Sequence, residues 1–149
     1  MKRRLAHLML AVLGSSMVLL LPASASAAPY DGTDPAETIC ASSAFTPAGE
    51  SYNTANFQGH TSTYVVELRY STGCGTAWAR VTCTDGNGCG YVQIWVERRS
   101  DSPAGYAKYS ASAYLGYGDS TYTVQLYDGG TANHARACDL GYVACTTWF

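Results

Sequence analysis

Hydrophobic and polar residues alternate along most of the chain after residue 60, which is the pattern of half-buried β-strands. The alternation is clearest from 90 to 98. Its apolar positions predict an inward face: Val92, Ile94 and Val96. The positions between them predict an outward face: Tyr91, Gln93, Trp95 and Glu97.

Six further runs have strand character and are separated by turns that contain Gly, Asn, Asp or Pro. They cover 63–70, 76–83, 106–113, 121–127, 134–139 and 142–148. About seven short strands without a helical period predict an all-β fold, a small antiparallel sandwich or barrel. The residues that we expect in its core are Val66, Leu68, Trp78, Val92, Ile94 and Val96.

The segment from 28 to 60 lacks this alternation. Asp34 can cap a short helical turn that has Pro35 at its first position and Glu37 where a capping box places an acid, and the turn should end near Cys40. Residues 41–60 are rich in small and polar side chains, so we expect a long loop with room for one edge strand. We expect 28–60 and 61–149 to form a single domain.

The first 27 residues have the layout of a secretory signal peptide. Three basic residues (Lys2, Arg3 and Arg4) precede an apolar run at 8–21, and small residues up to Ala27 follow Pro22. The apolar run is shorter than the ~20 residues that a membrane span needs. We therefore expect cleavage after Ala27 and a secreted, extracellular protein with no membrane attachment. An uncleaved membrane anchor is the alternative.

Composition and charge exclude other classes of protein. The chain has 149 residues, of which 47% are hydrophobic and 13% charged. It is too short for two ordinary domains and too apolar for disorder. Without residues 1–27, six basic residues face eleven acidic ones, so the net charge is −5. A chain this acidic is not expected to bind nucleic acid.

Six cysteines in an exported chain predict three disulfides. They are Cys40, Cys74, Cys83, Cys89, Cys138 and Cys145. Sequence alone allows 15 pairings. Cys83 and Cys89 flank a Gly/Asn/Asp turn, and Cys138 and Cys145 flank a turn at Gly141, so each pair should be bridged across a hairpin. Cys40 is then left for Cys74. A zinc site is disfavoured because no C-x-x-C pair occurs.

The candidates for catalysis are weak. His134 and Asp128 could join a serine in a triad, but no G-x-S-x-G nucleophile motif is present. Glu67 and Glu97 occupy outward positions of strands that we expect to be neighbours, so they could form a glycosidase pair on one face. The turn at 85–90 begins like a calcium loop and lacks its fifth and twelfth ligands. We predict no catalytic residue, metal or cofactor, with a small hydrolase as a remote alternative.

Three motifs resemble the YjfA-like family of small exported bacterial proteins, which is common in actinobacteria and functionally uncharacterised. The motifs are GTDP at 32–35 before Cys40, VELRYS at 66–71 with TAWAR at 76–80, and ARAC at 135–138 before Cys145. The resemblance implies an exported protein with Cys40–Cys74 and Cys138–Cys145 bridges. Ile39 departs from the family's usual glycine, and the Cys83–Cys89 bridge is an addition.

Two groups of aromatic and basic residues are candidates for binding. Arg69 and Arg80 flank Trp78 across a predicted hairpin, where Trp78 would fill the core and the arginines would pair with acids or form a recognition patch. Tyr91 and Trp95 fall on an outward face, and exposed aromatics stack on sugars or receive protein partners. The alternative is that these rings are ordinary large strand residues.

These observations favour a secreted, non-enzymatic binding protein that engages another extracellular protein as an adaptor or inhibitor. Its expected binding residues are Tyr91, Trp95 and Arg69, because Trp, Tyr and Arg are the usual anchors of interfaces. The segment 41–60 is an alternative docking element. A carbohydrate or cell-wall binding module that uses the Tyr/Trp face is the second hypothesis.

Overall fold

The structure is a computed structural model that describes residues 28–47, 49, 51–57, 60–100, 105–140 and 143–149. The predicted signal peptide lies outside these residues. Two 3-10 turns (Pro35–Glu37 and Ile39–Ser43) precede the strands. The strands are β1 (Ala44–Phe45), β2 (Ser51–Phe57), β3 (His60–Ser71), β4 (Thr76–Cys83), β5 (Gly90–Ser100), β6 (Ala107–Leu115), β7 (Ser120–Tyr122), β8 (Leu126–Tyr127) and β9 (Asn133–Asp139).

The strands form two antiparallel sheets. In sheet A, β3 pairs with β4 and also receives β1 and β2, while β4 also pairs with β7 and β8. In sheet B, the central β5 lies between β6 and β9. The two sheets share one apolar core, so the predicted all-β antiparallel fold is confirmed as a sandwich. The described strands do not close into a barrel.

The core lies where the alternation predicts it. Ile94 and Val96 of β5 are fully buried and pack with Leu68 of β3, Val81 of β4 and Ala137 of β9. Every residue predicted for the core is buried. Trp78 is buried, but unlike the other five residues it is not part of the apolar cluster between the two sheets. It faces away from the core, opposite Arg69 in the β3–β4 pair.

All three predicted disulfides are confirmed. Cys83–Cys89 closes the β4–β5 hairpin, and Cys138–Cys145 links the end of β9 to the C-terminal segment. Cys40–Cys74 spans 34 residues and fastens the second 3-10 turn to the β3–β4 turn. Gly75 of that turn has a φ of +61°, and a Cβ there would lie 3.3 Å from the Gly129 Cα, so this position requires glycine.

The N-terminal segment is more ordered than its sequence pattern predicts. Asp34 caps the first 3-10 turn as expected, since its carboxylate accepts a hydrogen bond from the Ala36 amide at 2.8 Å. The one edge strand for which the sequence left room is β2, which pairs with β3 from Ser51–Val66 to Phe57–His60. The two-residue β1 was not predicted. These strands consist largely of small and polar residues, which show no alternation of hydrophobic and polar positions. They are therefore recognised only from their backbone pairing with β3.

Two predicted strands differ in the structure. The run 121–127 is split into β7 and β8, because Thr123 and Gln125 between them are fully buried and use their side chains to bind neighbouring segments. Gln125 accepts a hydrogen bond from Thr76 at 2.7 Å and donates one to Thr33 at 2.8 Å. Of the predicted strand at 142–148, the structure describes residues 143–148, and these contain one bridge, at Cys145. Among the described residues, no helix is long and apolar enough to cross a membrane.

Candidate functional site

The three predicted binding residues do not form one site. Tyr91 and Trp95 lie on the outer face of sheet B, the face turned away from the core. Arg69 lies on the outer face of sheet A, opposite Trp78. Because the sheets pack through their inner faces, these residues are on opposite sides of the sandwich. The structure therefore offers two separate candidate surfaces.

Trp95 points outward as predicted, but the expectation that it is exposed is wrong. Only 5% of its surface is accessible. It lies between Ser110 of β6 and Cys138 of β9, and the Lys108 ammonium is 3.7 Å from the centroid of its ring. Alternation assigns a residue to a face of a sheet, but it does not show whether side chains on neighbouring strands cover that residue.

Glu97 is the next outward residue of β5, and it is also buried. Its carboxylate forms an ion pair with Arg136 of β9 and accepts a hydrogen bond from the Tyr106 hydroxyl at 2.8 Å. Lys108 lies opposite it in β6. One buried acid thus fixes Arg136 on β9, and Lys108 lies next to it on β6.

A second tryptophan, Trp148, completes this surface. The Trp148 ring lies 4.4 Å from the Arg136 Cζ and 4.7 Å from the Arg99 Cζ, which are cation–π contacts. We call the surface formed by Trp95, Arg99, Lys108, Arg136 and Trp148 the cationic face. It holds three of the six basic residues that follow residue 27. The sequence pattern missed Trp148 because its neighbours on the face are distant along the chain.

Tyr91 lies at the other end of the same outer face. It pairs with Tyr114 of β6, and the two ring centroids are 5.4 Å apart with an interplanar angle of 62°. Tyr91 is 38% exposed and Tyr114 77% exposed. The prediction that Tyr91 is an outward aromatic is confirmed, and Tyr114 is its exposed partner.

Arg69 is held by neighbouring structure. Its two Nη atoms donate hydrogen bonds to Thr46 Oγ1 at 2.8 Å and to the Ala44 carbonyl at 3.0 Å. Burial and the positive charge of Arg80 lower its pKa. Arg69 therefore fastens β1 and the residue after it to β3. This agrees with the alternative that Arg69 has a structural role.

Glu67 accompanies the two arginines on this face. Its Oε2 receives Arg80 Nε at 2.7 Å and Arg80 Nη2 at 2.6 Å, and its Oε1 accepts a hydrogen bond from Thr46. Glu97 belongs to the outer face of the other sheet. The possibility that Glu67 and Glu97 form a glycosidase pair is therefore wrong, because they lie on opposite sides of the sandwich and each is occupied by an arginine.

The other acids considered for chemistry also have structural contacts. Asp85 accepts a hydrogen bond from the Asn87 amide at 2.9 Å and so closes the β4–β5 turn. Asp128 is buried, and burial raises its pKa to about 7 against the opposing charge of Arg98 and a backbone hydrogen bond from Ala135. In the part of the chain that the structure describes, no three His, Cys, Asp or Glu residues cluster as metal ligands would.

A family model described as "Protein of unknown function (DUF2690)" matches residues 28–138, well over half of the chain. The chain belongs to this family. The DUF2690 match includes every residue of the cationic face except Trp148. Comparison with curated proteins and with solved structures gave no match. The DUF2690 description names no activity.

Proposed function

We propose that this protein is a secreted, non-enzymatic binding protein whose cationic face engages an acidic segment of another extracellular protein. The carrying observation is the concentration of Arg99, Lys108 and Arg136 around two tryptophans. The chain beyond residue 27 is acidic, so this face is a local reversal of charge. Complementary charge orients an approaching partner and accelerates its association.

The chemistry of the face favours a protein partner. Arginine and tryptophan are enriched among the residues that dominate protein interfaces. The contacts around Glu97 hold Arg136 in place before a partner arrives, which lowers the entropic cost of binding. An acidic side chain beside an apolar one would meet both the cations and the half-buried Trp148 ring. Such a segment fits an adaptor or an inhibitor.

Secretion is part of this proposal. The signal-peptide layout of residues 1–27, the resemblance to YjfA-like exported proteins and the three disulfides support it, because disulfides persist in oxidising compartments. N-terminal sequencing of protein recovered from culture medium should begin at Ala28. Retention of Lys2–Arg4 in that protein would contradict cleavage.

Paired variants with the same net charge test the cationic face. Arg99→Gln with Lys108→Gln removes two positive charges from the face and leaves the Glu97–Arg136 ion pair intact. Thr72→Glu with Asn87→Glu changes the net charge equally at two exposed turn positions outside the face. Each immobilised protein would be incubated with culture supernatant, and the bound proteins would be quantified by mass spectrometry.

We expect the wild type and the turn variant to retain the same extracellular protein, and the face variant to lose it. The bound protein should carry a cluster of acidic residues, and raising the salt concentration should weaken its binding. Equal retention by both variants would contradict the proposal. So would binding that depends on net charge alone, in which case both variants would lose the partner.

A second function, glycan binding, is favoured by the Tyr91–Tyr114 pair. Two exposed tyrosine rings in edge-to-face contact offer apolar surface on which a sugar ring can pack. Tyr114→Ala removes the more exposed ring and should abolish retention on insoluble cell-wall glycan if this pair binds it. The face variant should retain full glycan binding, so the two functions are separable.

A further inference from the structure

A cavity of about 190 Å³ opens on the outer face of sheet A, on the opposite side of the sandwich from the cationic face. Arg69, Trp78 and Arg80 form its floor. They share a face because Arg69 pairs with Trp78 across β3–β4, and Arg80 is two residues further along β4. Tyr122, which pairs with Arg80 from β7, forms one wall.

The two 3-10 turns cover this floor. Pro35 and Ala36 of the first turn and Ala41 of the second line the cavity. The Cys40–Cys74 disulfide joins the second turn to the β3–β4 hairpin, so the cover is covalently fixed to the sheet that it covers. The cavity is therefore a preformed part of the fold.

The charges in the cavity floor are not balanced. Glu67 is one carboxylate beside two guanidinium groups, and Arg80 occupies its Oε2 with Nε and Nη2. Within the described residues, Nη1 of Arg80 makes no hydrogen bond, and the Arg80 side chain is 38% exposed. Burial and repulsion by Arg80 lower the pKa of Arg69, and the charge of Glu67 offsets this only in part. An incoming anion could therefore accept hydrogen bonds from Nη1 of Arg80.

We propose that this cavity binds a single carboxylate group carried on a small aromatic or apolar body. The carboxylate would lie against Arg80, because a guanidinium group can bind a carboxylate through two parallel hydrogen bonds. The body would pack between Trp78 and Pro35. This site is independent of the cationic face and of the partner proposed for it.

Two features restrict the ligand. The volume is below the roughly 300–1,000 Å³ of sites for drug-sized molecules, so the body is about as large as one amino-acid side chain. Burial raises the pKa of Tyr122, and the nearby carboxylates of Asp34 and Glu37 raise it further, so the wall that Tyr122 forms is acidic. A second carboxylate on the ligand would be repelled there. A monocarboxylate fits, either as a free acid or as the C-terminal residue of a polypeptide.

Titration with phenylacetate, followed by NMR, tests the site. We expect shifts of the Trp78 indole N–H, the Arg80 Nε–H and the Ala36 amide. Phenylacetamide, which has the same shape without the charge, should bind at least tenfold more weakly. A tripeptide ending in phenylalanine, with a free or an amidated C-terminus, distinguishes the two sources. Tighter binding of the free-ended peptide than of phenylacetate assigns the carboxylate to a polypeptide, and weaker binding assigns it to a free acid.

Two variants complete the test. Ala36→Trp fills the cavity from its exposed cover without changing any charge, and it should abolish binding. Arg80→Lys keeps the charge beside Glu67 but loses the fork of donors, and it should weaken binding severalfold. Lys108→Gln on the cationic face should bind phenylacetate as the wild type does. Unchanged binding by Ala36→Trp, or equal binding of acid and amide, would overturn the proposal.

Discussion

The ammonium group of Lys108 lies 3.7 Å from the centroid of the Trp95 ring. Lys108 pairs with Glu97 in the β5–β6 register, so it is a diagonal neighbour of Trp95. Diagonal neighbours on one face of a sheet are within reach of long side chains. Lys108 is thus one of the side chains that cover a tryptophan of which only 5% is accessible, and it belongs to the surface proposed for binding.

Trp95→Ala should destabilise the fold. Removing a buried tryptophan costs about 3–5 kcal/mol, because the transfer free energy of the ring is lost and a cavity is left. The free energy of unfolding should be measured by urea denaturation. Tyr114→Ala, on the same face but exposed, is the control and should cost about 1 kcal/mol or less. Similar midpoints for Trp95→Ala and the wild type would show that the ring is exposed in solution.

The contrast between Trp95 and Ile94 shows how far the sequence pattern reaches. Alternation assigns both residues to the correct faces, and turn residues identify the hairpins that the disulfides close. The burial of Trp95 on the outer face involves side chains of other strands, Lys108 of β6 among them. No local pattern contains that information, because register is set by pairing between distant segments.

The candidate sites show the same limit. The sequence singled out Arg69, Trp78 and Arg80, and the structure brings them to one cavity floor. The sequence predicted the Cys40–Cys74 bridge and a short helical turn, but it could not show that the turns lie over this face of sheet A. The grouping of Trp148 with Arg99 and Arg136 likewise depends on how the C-terminal segment lies beside β9. The residue types predicted which side chains could bind a ligand or a partner. Which of these side chains lie together is set by contacts between distant segments of the chain.

Ile94→Ala tests the core side of β5. Ile94 is fully buried between the two sheets, so truncation should lower the free energy of unfolding by about 2–5 kcal/mol. Gln93→Ala, one position along and on the outer face, should cost far less. The comparison is best made by chemical denaturation under identical conditions. A larger loss for Gln93→Ala than for Ile94→Ala would mean that the strand is shifted by one residue.

The longest disulfide loop should contribute most to stability. Replacing Cys40 and Cys74 together by serine frees a loop of 34 residues, which costs about 4 kcal/mol in the chain-entropy model. Replacing Cys83 and Cys89 frees a loop of six residues and should cost about 2 kcal/mol. Urea denaturation of both double variants gives the comparison. The Cys40–Cys74 double variant should also lose phenylacetate binding at a urea concentration where the sheets remain folded, because the cover of the cavity is released.

The buried carboxyl of Asp128 should make stability depend on pH. Its pKa is about 7 in the folded protein and 3.8 in its ordinary state, so between these values the folded chain holds a proton that the unfolded chain has lost. Stability contributed by this group is therefore full below its ordinary pKa and decreases as the pH rises towards about 7. Asp128→Asn removes the ionisation. We expect the stability of this variant relative to the wild type to increase between about pH 4 and about pH 7 and to level off above that.

Thermal unfolding across this pH range measures the effect. Gln93→Ala, which removes no titratable group, should give a curve of melting temperature against pH that is parallel to that of the wild type. Asp128→Asn should diverge from both, with its melting temperature rising relative to theirs as the solution becomes more basic. The physical reason is that only the wild type and Gln93→Ala must bury a negative charge above the pKa of Asp128, with Arg98 as an incomplete counterion. Parallel curves for all three proteins would mean that Asp128 ionises equally in the folded and unfolded chains.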